Sequence, residues 1–268
     1  MTAAREKKHV YALDDRVAVV TGAGSGLGRA ASVSLAAAGA RVVVNDRVPD
    51  GLDETISAVE EVGGRAVAYL GDISSRADAH TMVETALSAF GGLDVLYANA
   101  AVSIYEELET MTADVMDETL DVNLKGVLLC AQAAIPAMRA RGKGSIIFAS
   151  SVQAYQGLPG CVVYAAAKAG LVAAARTLAV EVGKYGIRVN ALAPGTIDTP
   201  MLRRDLEKMN IVEASAFLSR VEAANTLGRV GRPEEIGDLV VFLASDASSY
   251  ITGSCVVIDG GFLAVKSF

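Results

Sequence analysis

The sequence predicts a doubly wound α/β fold, a seven-stranded parallel sheet with helices on both faces. Short β-branched runs alternate with Ala-rich, helix-favouring stretches along the chain, and glycines stand where those helices should end. Hydrophobic residues make up 52% of the chain but aromatics only 5%, and Trp is absent. The apolar mass is therefore Ala, Val, Leu and Ile, as suits helices packed on a buried parallel sheet. A chain of 268 residues fits one large domain, expected over residues 13–268, and no Pro-, Gly- or Ser-rich linker or repeat divides it.

Arg16 to Val20 predicts the first strand. The Gly-rich loop Thr21 to Gly28 follows, then an Ala-rich helix over Arg29 to Ala38 closed by Gly39. Arg41 to Asn45 predicts the second strand and completes a βαβ unit. Asp53 to Glu61 reads as helix, Arg65 to Leu70 as the third strand, and Arg76 to Phe90 as a helix ended by Gly91 and Gly92. Leu93 to Ala98 is the fourth strand. Ala113 to Arg139 predicts one long helix with Pro136 near its end, and Ser145 to Ala149 the fifth strand. Val163 to Lys184 reads as helix and Ile187 to Leu192 as the sixth strand. Pro233 to Leu243 is a short helix with proline in its first turn, and Ser254 to Asp259 the seventh strand. Residues 196–228 form an excursion with helices expected around Leu202 to Lys208 and Val212 to Ala224. Such an excursion lies over the carboxyl ends of the strands, where open α/β sheets bind ligands.

A net charge of −7 and a pI near 5.0 disfavour nucleic acid and anionic membrane as partners, since both need a positive field. No apolar run approaches the roughly 20 residues of a membrane span. The polar start, Met1 to His9, carries no apolar signal region, which predicts a flexible tail over residues 1–12 and a cytoplasmic protein. Cys130, Cys161 and Cys255 are widely spaced and lack a His cluster, so they read as small buried hydrophobes, not metal ligands. His9 and His80 sit in polar surroundings.

The loop Thr21-Gly22-Ala23-Gly24-Ser25-Gly26-Leu27-Gly28 joins a strand to a helix. Glycines let backbone approach a pyrophosphate, and the helix N-terminus offers free N–H donors. Asp46 follows the second strand, 18 residues after Gly28, where a carboxylate accepts from adenosine ribose hydroxyls and repels a 2′-phosphate. That favours NAD over NADP. Arg47 keeps NADP open, because a guanidinium can hold a 2′-phosphate.

Tyr164 and Lys168 are four residues apart and share one helix face. A neighbouring ammonium stabilises phenolate and draws a tyrosine, ordinarily near pKa 10, toward a working range. Ser150 and Ser151 follow the fifth strand.

With these pieces in order, the chain resembles the single-domain short-chain dehydrogenases/reductases from about Asp15 to Phe262. The matching motifs are Thr21 to Gly28, Gly71-Asp72-Ile73, Ala98-Asn99-Ala100-Ala101, Val122-Asn123, Ser150-Ser151, Tyr164 with Lys168, Pro194-Gly195-Thr196-Ile197-Asp198-Thr199-Pro200 and Asp259-Gly260-Gly261. The resemblance implies a Rossmann-type sheet and hydride transfer between NAD and a secondary alcohol or ketone. It implies Tyr164 as general acid/base, Lys168 lowering its pKa and binding the nicotinamide ribose, and Ser151 on the substrate oxygen. Asn123 would hold a water in a proton relay through Lys168. Gly22, Ser25, Gly26, Leu27, Gly28, Asp46 and Arg47 would meet the pyrophosphate and ribose. Asp72 and Ile73 would border the adenine, and Asn99 and Ala100 the adenosine side. Pro194, Gly195, Ile197 and Thr199 would lie at the nicotinamide. Ser25 stands where many NADP-using relatives carry Lys or Arg. Ala101 departs from the family's usual glycine, which could stiffen the turn.

The substrate wall is expected from Val102, Ile104, Gln153, Tyr155, Leu158, Met201, Leu202 and Phe217, mostly apolar, with Ser151 at the reacting oxygen. Gln153 offers a hydrogen bond that a polyol, hydroxy-ketone or hydroxy acid could use, or it serves the backbone. Arg203 and Arg204 read as solvated. The resemblance implies a homotetramer, joined through Ala113 to Arg139 with Val163 to Lys184, and through the last strand and the tail to Phe268. Two other readings stand: an NADP-dependent ketoreductase, and a catalytically silent NAD-binding regulator.

Overall fold

The computed structural model describes residues 10–264. The expected tail up to His9, and Val265 to Phe268 of the expected C-terminal contact, lie outside the described residues. The strands are β1 (Val17–Thr21), β2 (Arg41–Asp46), β3 (Arg65–Leu70), β4 (Val95–Ala98), β5 (Gly144–Ala149), β6 (Ile187–Pro194) and β7 (Cys255–Ile258). All pairings are parallel, in the order β3-β2-β1-β4-β5-β6-β7. This is the Rossmann-type doubly wound sheet that the sequence predicts. The winding reverses between β1 and β4, and a crevice opens there at the carboxyl ends of the strands.

The helices are α1 (Gly26–Ala37), α2 (Leu52–Glu61), α3 (Arg76–Phe90), α4 (Ala113–Leu120), α5 (Val127–Arg141), α6 (Val162–Val182), α7 (Pro200–Glu207), α8 (Ile211–Ala224) and α9 (Pro233–Ala244). Strand side chains alternate between two cores. Val17, Val19, Ile146 and Phe148 face α3, α5 and α6, whereas Ala18, Val20, Ile147 and Ala149 face α1, α2 and α9. Both faces are covered, so β1, β4 and β5 are apolar at nearly every position, with Thr21 and Ser145 the polar exceptions. Each fully buried Val or Ile contributes about 1.5–3 kcal/mol.

Three elements differ from expectation for identifiable reasons. The long helix over Ala113 to Arg139 is two helices joined by a π turn, Asp121–Gly126. Helix α1 starts at Gly26 rather than Arg29, because the last glycine of the loop packs under Gly22. Leu93 and Asp94 stay out of β4. The Asp94 side chain is fully buried and accepts from the Val17 N–H (2.9 Å) and Arg141 Nε (2.9 Å), with Arg16 Nη1 at 3.7 Å.

One expectation is corrected. The helical stretch Val162–Tyr185 is long and apolar enough to cross a membrane by length and composition. Its buried residues, Leu171, Val172 and Val182 among them, pack on the sheet, while Val162 and Val180 on the same helix stay exposed.

Asp94 ties the start of β1 to the end of α5, so its loss should be felt globally. Asp94→Ala leaves the Val17 N–H unpaired and is expected to cost about 2–4 kcal/mol. Urea unfolding should show a lower midpoint with an unchanged slope. An unchanged midpoint would mean the carboxylate contributes nothing.

Candidate active site

A cavity of about 1020 Å³ runs along the crevice, walled by the glycine loop, the ends of β2, β4, β5 and β6, and the excursion helices. At one end the wall is bare backbone. Gly22 has φ +63°, and a Cβ there would lie 2.8 Å from the Ala100 Cα. A Cβ on Gly28 would sit 2.1 Å from the Gly22 carbonyl oxygen, so Gly28 holds the loop against the helix and does not itself line the cavity. Thr21 Oγ1 accepts from the N–H groups of both Asn99 and Ala100 at 3.0 Å, tying the end of β4 to the loop. No side chain caps the first turn of α1, and none of its residues is acidic. Those N–H groups and the helix dipole suit an anion such as a pyrophosphate.

Beside this cradle Asp46 lines the cavity. Its carboxylate accepts from the N–H groups of Gly24 and Val48, both at 3.1 Å, and retains lone pairs for a ligand's hydroxyls. Arg47 lines the same wall, with Nη1 3.7 Å from Glu118 Oε1 of α4. Asp72 and Ile73 follow β3. Asn45 holds that exit by donating to the carbonyls of Tyr69 (3.1 Å) and Gly71 (3.0 Å). Ser25, Gly26, Leu27, Asn99, Ala100, Pro194, Gly195, Ile197 and Thr199 all reach the cavity. Asp15 is the only described non-glycine residue with positive φ, so Ala101 sits in its turn without backbone strain.

At the other end, Ser151, Tyr164 and Lys168 share one stretch of wall. Ser151 follows β5 and its Oγ accepts from the Gln153 N–H at 3.2 Å. Tyr164 and Lys168 lie one turn apart on α6. Lys168 is only 2% exposed; its Nζ donates to the Ala149 carbonyl at 2.8 Å and lies 5.5 Å from the centre of the Tyr164 ring. Ser150 Oγ donates to the Lys168 carbonyl at 2.8 Å, fixing α6 against β5.

Asn123 does not line the cavity. Its side chain is fully buried in the π turn; Oδ1 accepts from the Val102 N–H and Nδ2 donates to the Val102 carbonyl, both at 2.8 Å. The side-chain amide is thus a clamp on the segment leaving β4. The π turn that aims it has no sequence signature, and such turns recur at functional sites.

The expected lowering of Tyr164 is also not found in the protein alone. Burial pushes its phenol well above the ordinary range, Tyr105 and Cys161 push the same way, and the Ser151 hydroxyl opposes them. Burial likewise pushes Lys168 down to about 8. Removing water costs both charged forms more than their mutual attraction returns.

Of the expected substrate wall, Gln153, Leu158 and Met201 reach the cavity, with Val102, Ile104, Leu202 and Phe217. Tyr155 does not; it is exposed on the outer side of its turn. Arg203 is solvated, as expected, and makes a two-pronged pair with Asp198 at 2.9 Å. Arg204 and Lys208 are also exposed, but they reach the cavity wall. The sequence reading missed that, although Met201, Arg204 and Lys208 share a face of α7 at helical spacing. It also missed Arg29, which donates to the carbonyls of Gly24 and Gly51 and pins the glycine loop to α2.

Comparison with known proteins agrees with this geometry. A family model described as enoyl-(acyl carrier protein) reductase matches residues 22–263. A 3-oxoacyl-(acyl-carrier-protein) reductase of Thermotoga maritima is 38% identical over 94% of this chain and 99% of its own. The crystal structure of a levodione reductase superposes with a TM-score of 0.91 at 36% identity, covering 95% of this chain and all of the other; a levodione reductase of Leifsonia aquatica is 37% identical over 92% of this chain and 94% of its own. A structure from Agrobacterium tumefaciens with bound NADP has a TM-score of 0.85 at 34% identity, covering 96% of this chain and all of the other.

The burial of Lys168 has a pH signature. Its folded pKa near 8 lies below the unfolded value of about 10.4, so the unfolded chain binds the extra proton between them. The fold should therefore gain stability as pH rises through that window. Relative to Lys168→Met, the unmutated chain is expected to gain up to ~3 kcal/mol between pH 7 and pH 10. A flat difference across denaturant titrations at these pH values would contradict the assignment.

Proposed function

The chain belongs to the short-chain dehydrogenase/reductase family and is an oxidoreductase acting on CH–OH groups, and from that premise we propose that it moves a hydride between NAD and a secondary alcohol or ketone. The observation that carries this reading is one continuous cavity, with an anion cradle of bare backbone at one end and Ser151, Tyr164 and Lys168 together at the other.

Bound NAD supplies the hydride-accepting nicotinamide carbon and, when oxidised, a positive charge that favours a nearby phenolate. The glycine loop and the first turn of α1 hold the pyrophosphate, Asp46 the adenosine ribose hydroxyls, and Asp72 with Ile73 the adenine. Pro194, Gly195, Ile197 and Thr199 border the nicotinamide. In reduction Tyr164 Oη gives its proton to the developing alkoxide, and its raised pKa keeps that proton in place at neutral pH. In oxidation the phenolate takes the alcohol proton. Ser151 Oγ donates to the reacting oxygen and steadies its charge. Lys168 stands behind Tyr164 with its ammonium over the ring. Asn123 completes the set as a positioning residue through its clamp on Val102.

The NADP reading keeps two supporting observations: Arg47 reaches the same wall as Asp46, and a 34% identical relative binds NADP. Asp46 favours NAD, because its charge would face a 2′-phosphate. We propose a homotetramer, supported by apolar side chains such as Leu128, Val162 and Val180 left exposed on α5 and α6. Three free cysteines suit the reducing cytoplasm, where we place the protein.

Tyr164→Phe is expected to lower kcat by about 10²–10⁴-fold on the best alcohol while leaving NADH binding intact by fluorescence titration. Undiminished turnover would end the assigned mechanism. Asp46→Ala should shift the NADPH-to-NADH affinity ratio upward by roughly 10-fold, the effect of removing one close charge. Equal affinity for both cofactors in the unmutated chain would remove the case for NAD.

A further inference from the structure

Three buried side-chain polar atoms among the described residues have no hydrogen-bond partner: Asn45 Oδ1, Tyr97 Oη and Gln153 Oε1. Tyr97 lies in the core between sheet and helices, away from any cavity. Asn45 is at the adenosine end, where its amide nitrogen already holds the exit of β3. Gln153 alone stands at the reacting end. It sits two residues past Ser151 in the short 3₁₀ turn Val152–Ala154, and its main-chain N–H donates to Ser151 Oγ, which holds the Ser151 hydroxyl against the backbone that carries Gln153.

A buried amide oxygen without a donor is costly, and native proteins rarely leave one so. Val102, Ile104, Leu158, Met201 and Phe217 make much of this wall hydrocarbon, and although Ser103, Tyr105, Arg204 and Lys208 also line the cavity, none of them donates to Gln153 Oε1. We infer that the missing donor is a second hydroxyl on the substrate, so that the protein acts on diols or hydroxy-ketones and Gln153 determines that preference. The inference rests on the hydride-transfer reading above.

The chemistry of the wall selects a hydroxyl over other groups. A carboxylate or phosphate there would face the amide oxygen. An ammonium would lose its hydration against apolar side chains with no counter-charge among the wall residues named. A hydroxyl is neutral, donates to Oε1, and can also accept from Nε2 if the amide is turned over. Because Gln153 lies two residues from Ser151 on the same cavity wall, the second hydroxyl belongs close to the reacting carbon. A substrate without it leaves the oxygen unpaired, and sites built around such a bond reject the analogue that lacks it.

The test compares matched alcohols with NAD and with NADP: cyclohexane-1,2-diol, 2-methoxycyclohexanol and cyclohexanol, then butane-2,3-diol, 3-methoxybutan-2-ol and butan-2-ol. The methyl ethers keep the second oxygen and remove its proton. In at least one set the diol is expected to exceed both analogues in kcat/KM by about 10-fold or more. Gln153→Met, of similar volume and unable to hydrogen-bond, should bring the diol-to-monoalcohol ratio to about 1, whatever its absolute rate. An unmutated enzyme that turns over the diol no better than its analogues in both sets overturns the inference and leaves hydride transfer standing. So does a ratio that survives Gln153→Met. No turnover of any member with either cofactor overturns the parent reading itself.

Discussion

A buried ammonium organises this molecule's chemistry. Lys168 comes from the inward face of α6, is held by the Ala149 carbonyl at the end of β5, and lies against the ring of Tyr164 one turn earlier. A charge so placed is expensive, and its lowered pKa is the mark of that expense. Few arrangements tolerate it. The carbonyl that accepts its hydrogen bond belongs to the last residue of β5, and the helix must be fixed against that strand end. Ser150 does the fixing, by donating to the Lys168 carbonyl. The reacting end of the cavity is thus a consequence of where β5 stops.

The cofactor end depends on a different absence. Reversal of the winding between β1 and β4 leaves no crossover to cover the carboxyl ends of those strands, and the crevice stays open. The glycine loop fills one wall with backbone alone, and Thr21 and Asn99 lock it to the neighbouring strand end. Polar groups at this end are met from within the protein except where a ligand is to be received. Asp46 is met by two backbone N–H groups, whereas the first turn of α1 has no side-chain cap. The site is preorganised: its dipoles and charges are held by the scaffold, so little reordering remains for binding.

Much of this was legible in the chain. Alternation of β-branched and Ala-rich runs carries the strand count and every helix except the division of α4 from α5, because both faces of the sheet are covered and the period shows in composition. The strand–glycine loop–helix pattern, Asp46 at a strand end, and Tyr164 with Lys168 on one helix face follow from local geometry. The π turn at Asn123 was not legible. It costs little locally and is fixed by the clamp on Val102, a residue 21 positions away. The split of the long helix and the capture of Asp94 outside β4 escaped for the same reason: each depends on what another element brings to that point.

Sequence by itself determined the fold class, the glycine loop at the end of β1 and the pairing of Tyr164 with Lys168 on one helix face, since these rest on periods and spacings within single elements. Tertiary structure decided the electrostatics and the specificity. Whether Tyr164 rises or falls in pKa is set by how much water the packed cavity admits, against a neighbouring charge whose position is set by β5. Whether Gln153 serves the backbone or faces a ligand depends on which side chains from the excursion and the β4 exit surround it. Dielectric environment and unpaired atoms are properties of assembled walls, and no stretch of sequence holds a wall by itself.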